Sequence, residues 1–122
     1  MTIAKGMIVH VRNPLGAWYN GRAMRGDHYA VVISTPCPGA CVLTIAWLTS
    51  NMSRASDSRS GGVVIGPYTL QRSGGHDQYG VVLTRQITTV DIEEVTDVVA
   101  MATKEEMSRI DSAIKDALGL TA

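Results

Sequence analysis

Apolar residues along most of this chain fall into short runs separated by polar stretches rich in glycine, serine and proline, the pattern of a β-rich protein. The first run is Met7-Ile-Val-His-Val11. Residues 12–27 hold Pro14, Gly16, Gly21 and Gly26 with little periodicity and predict a long loop. Loops of that length inside a compact domain are usually functional. Residues 29–34 read as a continuous apolar strand, closed by the turn cluster Pro36-Cys-Pro-Gly39. The chain returns along residues 41–48, and residues 51–62, polar and serine-rich, predict a mobile loop. Residues 62–65 then read as a short strand, residues 67–78 as a loop, and residues 79–90 as the longest strand, broken near Gln86. Val95–Met101 supplies one more strand.

After residue 101 the period changes. Thr103-Lys-Glu-Glu106 has the spacing of a capping box, in which the threonine hydroxyl accepts from the amide of Glu106 while that carboxylate reaches back. Met107, Ile110, Ile114, Ala117 and Leu118 recur at intervals of three and four, so they form one apolar stripe facing the sheet, and Gly119 supplies the stop. Five or six short strands followed by one amphipathic helix predict a mainly β fold with a C-terminal α-helix, a small half-open antiparallel barrel. Parallel α/β folds need a crossover helix between most strands, and residues 1–95 offer none. At 122 residues, 45% of them hydrophobic, a single domain over residues 1–122 is expected.

Composition adds an asymmetry. Net charge is zero, which argues against a generic nucleic-acid coat, but residues 1–90 carry eight basic residues against three acidic ones and residues 91–122 carry three against eight. Seven of the first eight are arginine, whose planar fork suits phosphate, so the N-terminal part is where an anionic partner binds or else a solvated arginine surface. Cys37 and Cys41, with no histidine pair nearby, read as plain thiols flanking a turn. No apolar run approaches a membrane span and the N-terminus lacks the apolar core of a secretion signal, so a cytoplasmic protein without membrane partners is expected.

Three segments carry candidate chemistry. The imidazole of His28, which titrates near neutrality, can serve as acid or base, or can simply bond to backbone carbonyls ahead of a buried strand. The hydroxyls of Thr49 and Ser50 can hold a phosphate oxygen or can end a strand by local bonding. Trp18 and Tyr19 can stack on bases or cover the barrel end. His10 alternates within a strand, and His76-Asp77 lies in a glycine-rich loop.

In chain order these segments resemble the PemK/MazF/Kid toxins of type II toxin–antitoxin modules. Gly6-Met-Ile matches the first strand of that family loosely, and Gly21, Gly26, Ala30, Val31 and Val32 match its glycine-to-strand segment. Ala46-Trp-Leu-Thr-Ser50 supplies the strand ending in Thr-Ser, and Val81, Val82, Gln86, Thr89, Val90 and Asp91 match the long strand. Charged positions depart from the pattern. Ala23 replaces an acid, Met24 a glutamine and Tyr29 a proline, while His28 stands for the arginine used in catalysis. Leu83, Arg85 and Thr88 stand at further charged positions, Arg85 where several members have aspartate.

The resemblance implies an SH3-like barrel of the plasmid-maintenance-toxin type acting as a homodimer. It further implies a metal-independent, cofactor-free, sequence-selective endoribonuclease that cleaves single-stranded RNA and is held inactive by a cognate antitoxin. Cleavage through the 2′-hydroxyl needs a proton acceptor, a proton donor and positive charge at the phosphate. His28, Thr49 and Arg85 are the expected catalytic residues, with Arg25, Ser50, Gln86 and Trp18 as substrate contacts. The displaced charges leave room for two alternatives: a catalytically silent relative serving as a binding or regulatory module, and a toxin that acts on a protein such as DNA gyrase.

Overall fold

Alternation along the strands sorts their side chains onto two faces, and both faces are apolar, so the sheet has to be covered twice. The structure is a computed structural model that describes residues 2–12, 28–56, 61–69 and 77–120. Strands β1 (Met7–Val11), β2 (His28–Val32), β3 (Val42–Thr49), β4 (Gly62–Thr69), β5 (Asp77–Asp91) and β6 (Val95–Met101) form one sheet, followed by helix α1 (Lys104–Ala117). Their order is β4-β5-β3-β2-β1-β6, with every pair antiparallel. The mainly β half-barrel with a C-terminal helix is thus present as expected.

On the first face Val9, Val11, Ala30, Val32, Ile45, Trp47, Leu83 and Val90 meet in one cluster with Val95. Strands far apart in the sheet share that cluster, so the sheet curls over it. On the second face Ile8, Val31, Ala46, Leu48, Ile65 and Val82 pack with Ile110, flanked by Met107 and Ile114, so α1 covers this side. Burying each such aliphatic side chain stabilises the fold by roughly 1.5–3 kcal/mol.

The curl is built into β5. Moving two residues along β3, from Ala46 to Leu48, moves five along β5, from Ile87 to Val82, so β5 carries three surplus residues opposite Trp47. A bulge of this kind bends its strand and increases the local twist. Close approach is allowed at Gly80, where a Cβ would stand 2.6 Å from the Leu48 Cδ1 atom.

Helix α1 starts as the spacing predicts. Glu106 N–H donates to Thr103 Oγ1 at 3.1 Å, and Thr103 N–H donates to Glu106 Oε1 at 2.9 Å. The same carboxylate accepts from the Gly66 amide at 2.8 Å and from the Tyr68 hydroxyl, which ties the first turn of α1 to β4. Arg109 adds a bond to the Val64 carbonyl at 2.9 Å. Burial by itself raises the pKa of Glu106, but the bonds from Tyr68, Gly66 and Thr103 outweigh it and hold the carboxyl below its ordinary 4.5. Burial, and then the neighbouring carboxylate, push the Tyr68 phenol up from 10.0 to about 12.

Several boundaries differ from expectation, and β2 ends at Val32 rather than at Ser34. β4 does not stop at residue 65 but continues to Thr69, because Gly66 at φ +111° and a one-residue register shift carry the strand past Pro67. As an edge strand, β4 loses no ladder bond at the proline. β5 correspondingly begins at Asp77. Within residues 51–62, the stretch Met52–Ser56 is a 3₁₀ turn that packs Ala55 against the first cluster. Leu118 is no part of the apolar stripe; the helix ends at Ala117, and Leu118 stands 59% exposed. Gly119 makes the stop at φ +70°.

The Glu106 clip generates a test. Glu106→Ala strands the Tyr68 hydroxyl and two amides, and denaturant unfolding should show a loss of about 3 kcal/mol. In the unsubstituted protein, Glu106 contributes above pH 4.5 and that contribution is lost as pH falls through its lower folded value. Tyr68 contributes below pH 10.0 and its contribution is lost as pH rises toward about 12. A stability–pH profile unchanged by Glu106→Gln would show that the clip carries no such linkage.

Candidate active site

One row of side chains crosses the sheet at the end where β2 begins. Val11 pairs with His28, Thr49 with Val81, and Val81 with Val64. The pairing of β2 with β3 runs through Ala30 and Trp47, then Tyr29 and Leu48, so one further step sets His28 beside Thr49. Neighbours across a sheet have Cβ atoms roughly 4.5–5.5 Å apart. His28 and Thr49 share the face of Ala30, Val32, Ile45 and Trp47, opposite the face covered by α1.

Each is positioned by its neighbours. The His28 ring stands edge-on to the Trp47 indole, with centroids 6.4 Å apart and planes at 68°. Trp47 is only 2% exposed and cannot shift without repacking the core. Thr49 ends its strand by accepting from the Asn51 amide at 3.2 Å through Oγ1, while Asn51 Oδ1 accepts from Ser53 N–H at 3.2 Å and from Ser53 Oγ at 2.7 Å. That bond uses an oxygen lone pair, and a threonine hydroxyl also carries a hydrogen to donate. Both residues are half-buried, while Ser50 is exposed at the bend that follows.

β5 divides the remaining candidates. One step past the Ala46–Ile87 pair sets Gln86 beside Trp47, on the face of His28 and Thr49. Arg85 does not join them. It is exposed, its Cγ lies 3.1 Å from where a Cβ on Gly61 would stand, and it lines a cavity of about 340 Å³ with Thr84 and with Ala113 and Asp116 of α1. Buried Thr84 fixes this corner by donating to the Gly61 carbonyl at 2.7 Å. Arg25, Trp18 and Tyr19 lie outside the described residues, as does His76. His10 lies on the α1 side, edge-on to Tyr29 with ring centroids 5.2 Å apart and its Nδ1 2.6 Å from Thr96 Oγ1.

The charge asymmetry is partly neutralised within the fold. Lys5 pairs with Asp111 at 2.9 Å and Arg12 with Glu94 at 3.3 Å, so two bases of the N-terminal part are answered by C-terminal acids. Arg22, Arg25, Arg59 and Arg72 lie outside the described residues. Cys37 and Cys41 are exposed free thiols at a turn in which Ala40 N–H donates to the Cys37 carbonyl at 2.9 Å. Among the described residues, no group of three or more His, Cys, Asp or Glu side chains stands close enough to hold a metal ion.

Two positioning residues were not singled out in the sequence, although each left a signal. Trp47 lies two residues before Thr49 and shares its face by alternation, and Asn51 follows two residues after, at the spacing of a side-chain turn. Chemically, the face offers an imidazole, a hydroxyl and an amide side chain along a wall of indole. Such a set can move a proton and orient an oxyanion.

The profile of the family described as PemK-like, MazF-like toxin of type II toxin–antitoxin system matches residues 4–118. No curated protein sequence matches the chain. Among solved structures, MazF from Deinococcus radiodurans superposes with a TM-score of 0.73 at 16% identity over 98% of both chains. An endoribonuclease in complex with its cognate antitoxin, from a mycobacterial species, gives 0.70 at 19% identity over 99% of both chains. The Mycobacterium tuberculosis toxin MazF-mt6 gives 0.68 at 13% identity, over 95% of this chain and 99% of that one. At these identities the likeness establishes the fold.

The Trp47 wall is open to measurement. Trp47→Ala should cost about 3–5 kcal/mol in thermal or denaturant unfolding. Trp47→Phe, which retains a ring, should preserve more of that stability and still shift the His28 imidazole proton resonances. Unshifted resonances would show that the indole does not hold His28.

Proposed function

The chain belongs to the PemK-like, MazF-like toxin family of type II toxin–antitoxin systems, and from that membership we propose that it is an endoribonuclease cleaving single-stranded RNA through the 2′-hydroxyl. The observation that carries the reading is the register of β2 and β3, which continued one step past Tyr29 and Leu48 sets His28 beside Thr49 at the strand ends, with the His28 ring against Trp47 and Thr49 bonded to Asn51. In this reading the neutral His28 imidazole takes the 2′-hydroxyl proton, and the 2′-oxygen attacks phosphorus as the P–O5′ bond breaks. A 2′,3′-cyclic phosphate forms, and the departing 5′-oxygen takes a proton from water. Thr49 and Ser50 donate to the phosphate oxygens, and Gln86 contacts the nucleotide beside Trp47.

Positive charge at the phosphate is assigned to Arg25, with Trp18 as a stacking surface for a base. Arg85, turned toward the α1 side within this chain, serves in this reading at the flank of the RNA path rather than at the scissile phosphate. The working form is a homodimer in the cytoplasm, restrained by an antitoxin, and the reaction needs no cofactor or metal. Among the described residues, no helix is long and apolar enough to cross a membrane. The mycobacterial structure is described as an endoribonuclease with its cognate antitoxin, which supports both the activity and the partner proposed here.

The silent-relative reading rests on Ala23, His28, Leu83 and Arg85 standing where family members carry other residues, and one assay separates the two. Purified protein incubated with a single-stranded RNA in EDTA should produce fragments ending in a cyclic phosphate. His28→Ala and Thr49→Ala should each lower the rate by about 10² or more. Intact RNA at high protein concentration with no growth arrest on expression would exclude the nuclease and favour a binding module, whereas intact RNA with growth arrest would favour a toxin acting on a protein target.

A further inference from the structure

The chain holds 2 cysteines, and the core uses neither. Cysteine is among the most buried residue types, yet Cys37 and Cys41 are both exposed as free thiols on either side of one turn. Ala40 N–H donates to the Cys37 carbonyl at 2.9 Å, with Pro38 and Gly39 at the central positions and Gly39 at φ +77°, the pattern of a type II turn. The ends of such a turn lie within about 7 Å, and the chain bends again at Cys41 before β3 begins. A disulfide asks for α-carbons roughly 4.4–6.8 Å apart, the scale of this turn. Beyond the bend, the Cys41 carbonyl accepts from the Ile92 amide at 2.9 Å, which ties the site to the end of β5.

We propose that Cys37 and Cys41 form a thiol-oxidation site, which closes to an intramolecular disulfide by exchange with a low-molecular-weight disulfide. One cysteine thiolate attacks a sulfur of the small disulfide, forming a mixed disulfide and releasing one small thiolate. The second cysteine thiolate attacks the protein sulfur of that mixed disulfide, and the second small thiolate leaves. The released thiolates take up the protons that the cysteines lost, so the protein is oxidised by two electrons and the small disulfide is reduced. Among the described residues no third His, Cys, Asp or Glu stands with the pair to complete a metal site, which disfavours zinc. The link has a structural reach. Val32 pairs with Ile45, Ile33 N–H donates to the Thr44 carbonyl at 3.1 Å, and the Cys37–Ala40 bond keeps the same register, which at the other end sets His28 beside Thr49. Closing the disulfide therefore pins the turn end of the β2–β3 hairpin, and it does so whether or not the chain cleaves RNA.

The test equilibrates the full chain with oxidised glutathione over a range of concentrations at fixed millimolar reduced glutathione, traps remaining thiols by alkylation, and weighs the intact protein. The oxidised chain should carry neither alkyl group nor glutathione, and peptide mapping should place the link between Cys37 and Cys41. Cys37→Ser and Cys41→Ser should each hold glutathione as a mixed disulfide instead, and should need at least about tenfold more oxidised glutathione for half modification, because the second thiol is held close by. Amide hydrogen exchange at Ile33 and Ala40 should slow by about tenfold on closure. Glutathione retained on both sulfurs, linkage between chains, full alkylation at every ratio, or unchanged exchange at Ile33 and Ala40 would each overturn the proposal. So would a zinc ion that survives dialysis and blocks oxidation. The unsubstituted chain decides whether the link forms even if a serine variant fails to fold.

Discussion

The architecture depends on a mismatch in hydrogen-bond register. β5 pairs with β3 along one edge and with β4 along the other, and it carries three more residues than β3 can match opposite Trp47. Those residues cannot lie in a flat ladder, so the strand bends, and the bend brings the two ends of the sheet around one apolar cluster. A flat six-stranded sheet with these side chains would leave one of its apolar faces in water. Curl and helix are therefore two answers to the same problem, one for each face.

The bend also determines which side chains can cooperate. Before it, Val81 and Leu83 face the inner cluster; after it, Val90 does, so the parity of the strand changes across the surplus residues. Thr84 is buried against Gly61, Arg85 points outward, and Gln86 returns to the side of Trp47. A guanidinium and an amide adjacent in sequence thus end on different surfaces. Simple alternation predicts opposite faces for any two neighbours, but only the bulge says which of them joins His28 and Thr49.

What could be read in the sequence follows the same division. Met7–Val11, Val95–Met101 and the capping box at Thr103 were legible because each is set by local pattern alone, apolar runs or an oxygen three residues from a carboxylate. The break near Gln86 was legible as an interruption but not as a three-residue offset, since that number belongs to the partner strand. The run of β4 through Pro67 was hidden because proline reads as a stop unless the strand is known to lie on an edge. Pairing of Lys5 with Asp111 joins residues 106 apart, and no local pattern reports it. His28 and Thr49 could be chosen individually from their types; their adjacency required the register between β2 and β3.

Helix α1 shows how one short segment meets several demands at once. Its apolar stripe, Met107, Ile110 and Ile114, closes the second face of the sheet. Its first turn anchors the edge strand β4 through Glu106, whose carboxylate answers an amide and a phenol of β4 while completing the helix cap. Because those demands occupy two sides of the helix, the remaining side is free of core constraints. The lysines and serines there are set by solvent and by local charge rather than by packing. Solubility alone asks for charge of either sign. Lys115, in the last turn, faces the negative end of the helix dipole, and Lys5 answers Asp111 at 2.9 Å, so the charge on this side is balanced within the fold.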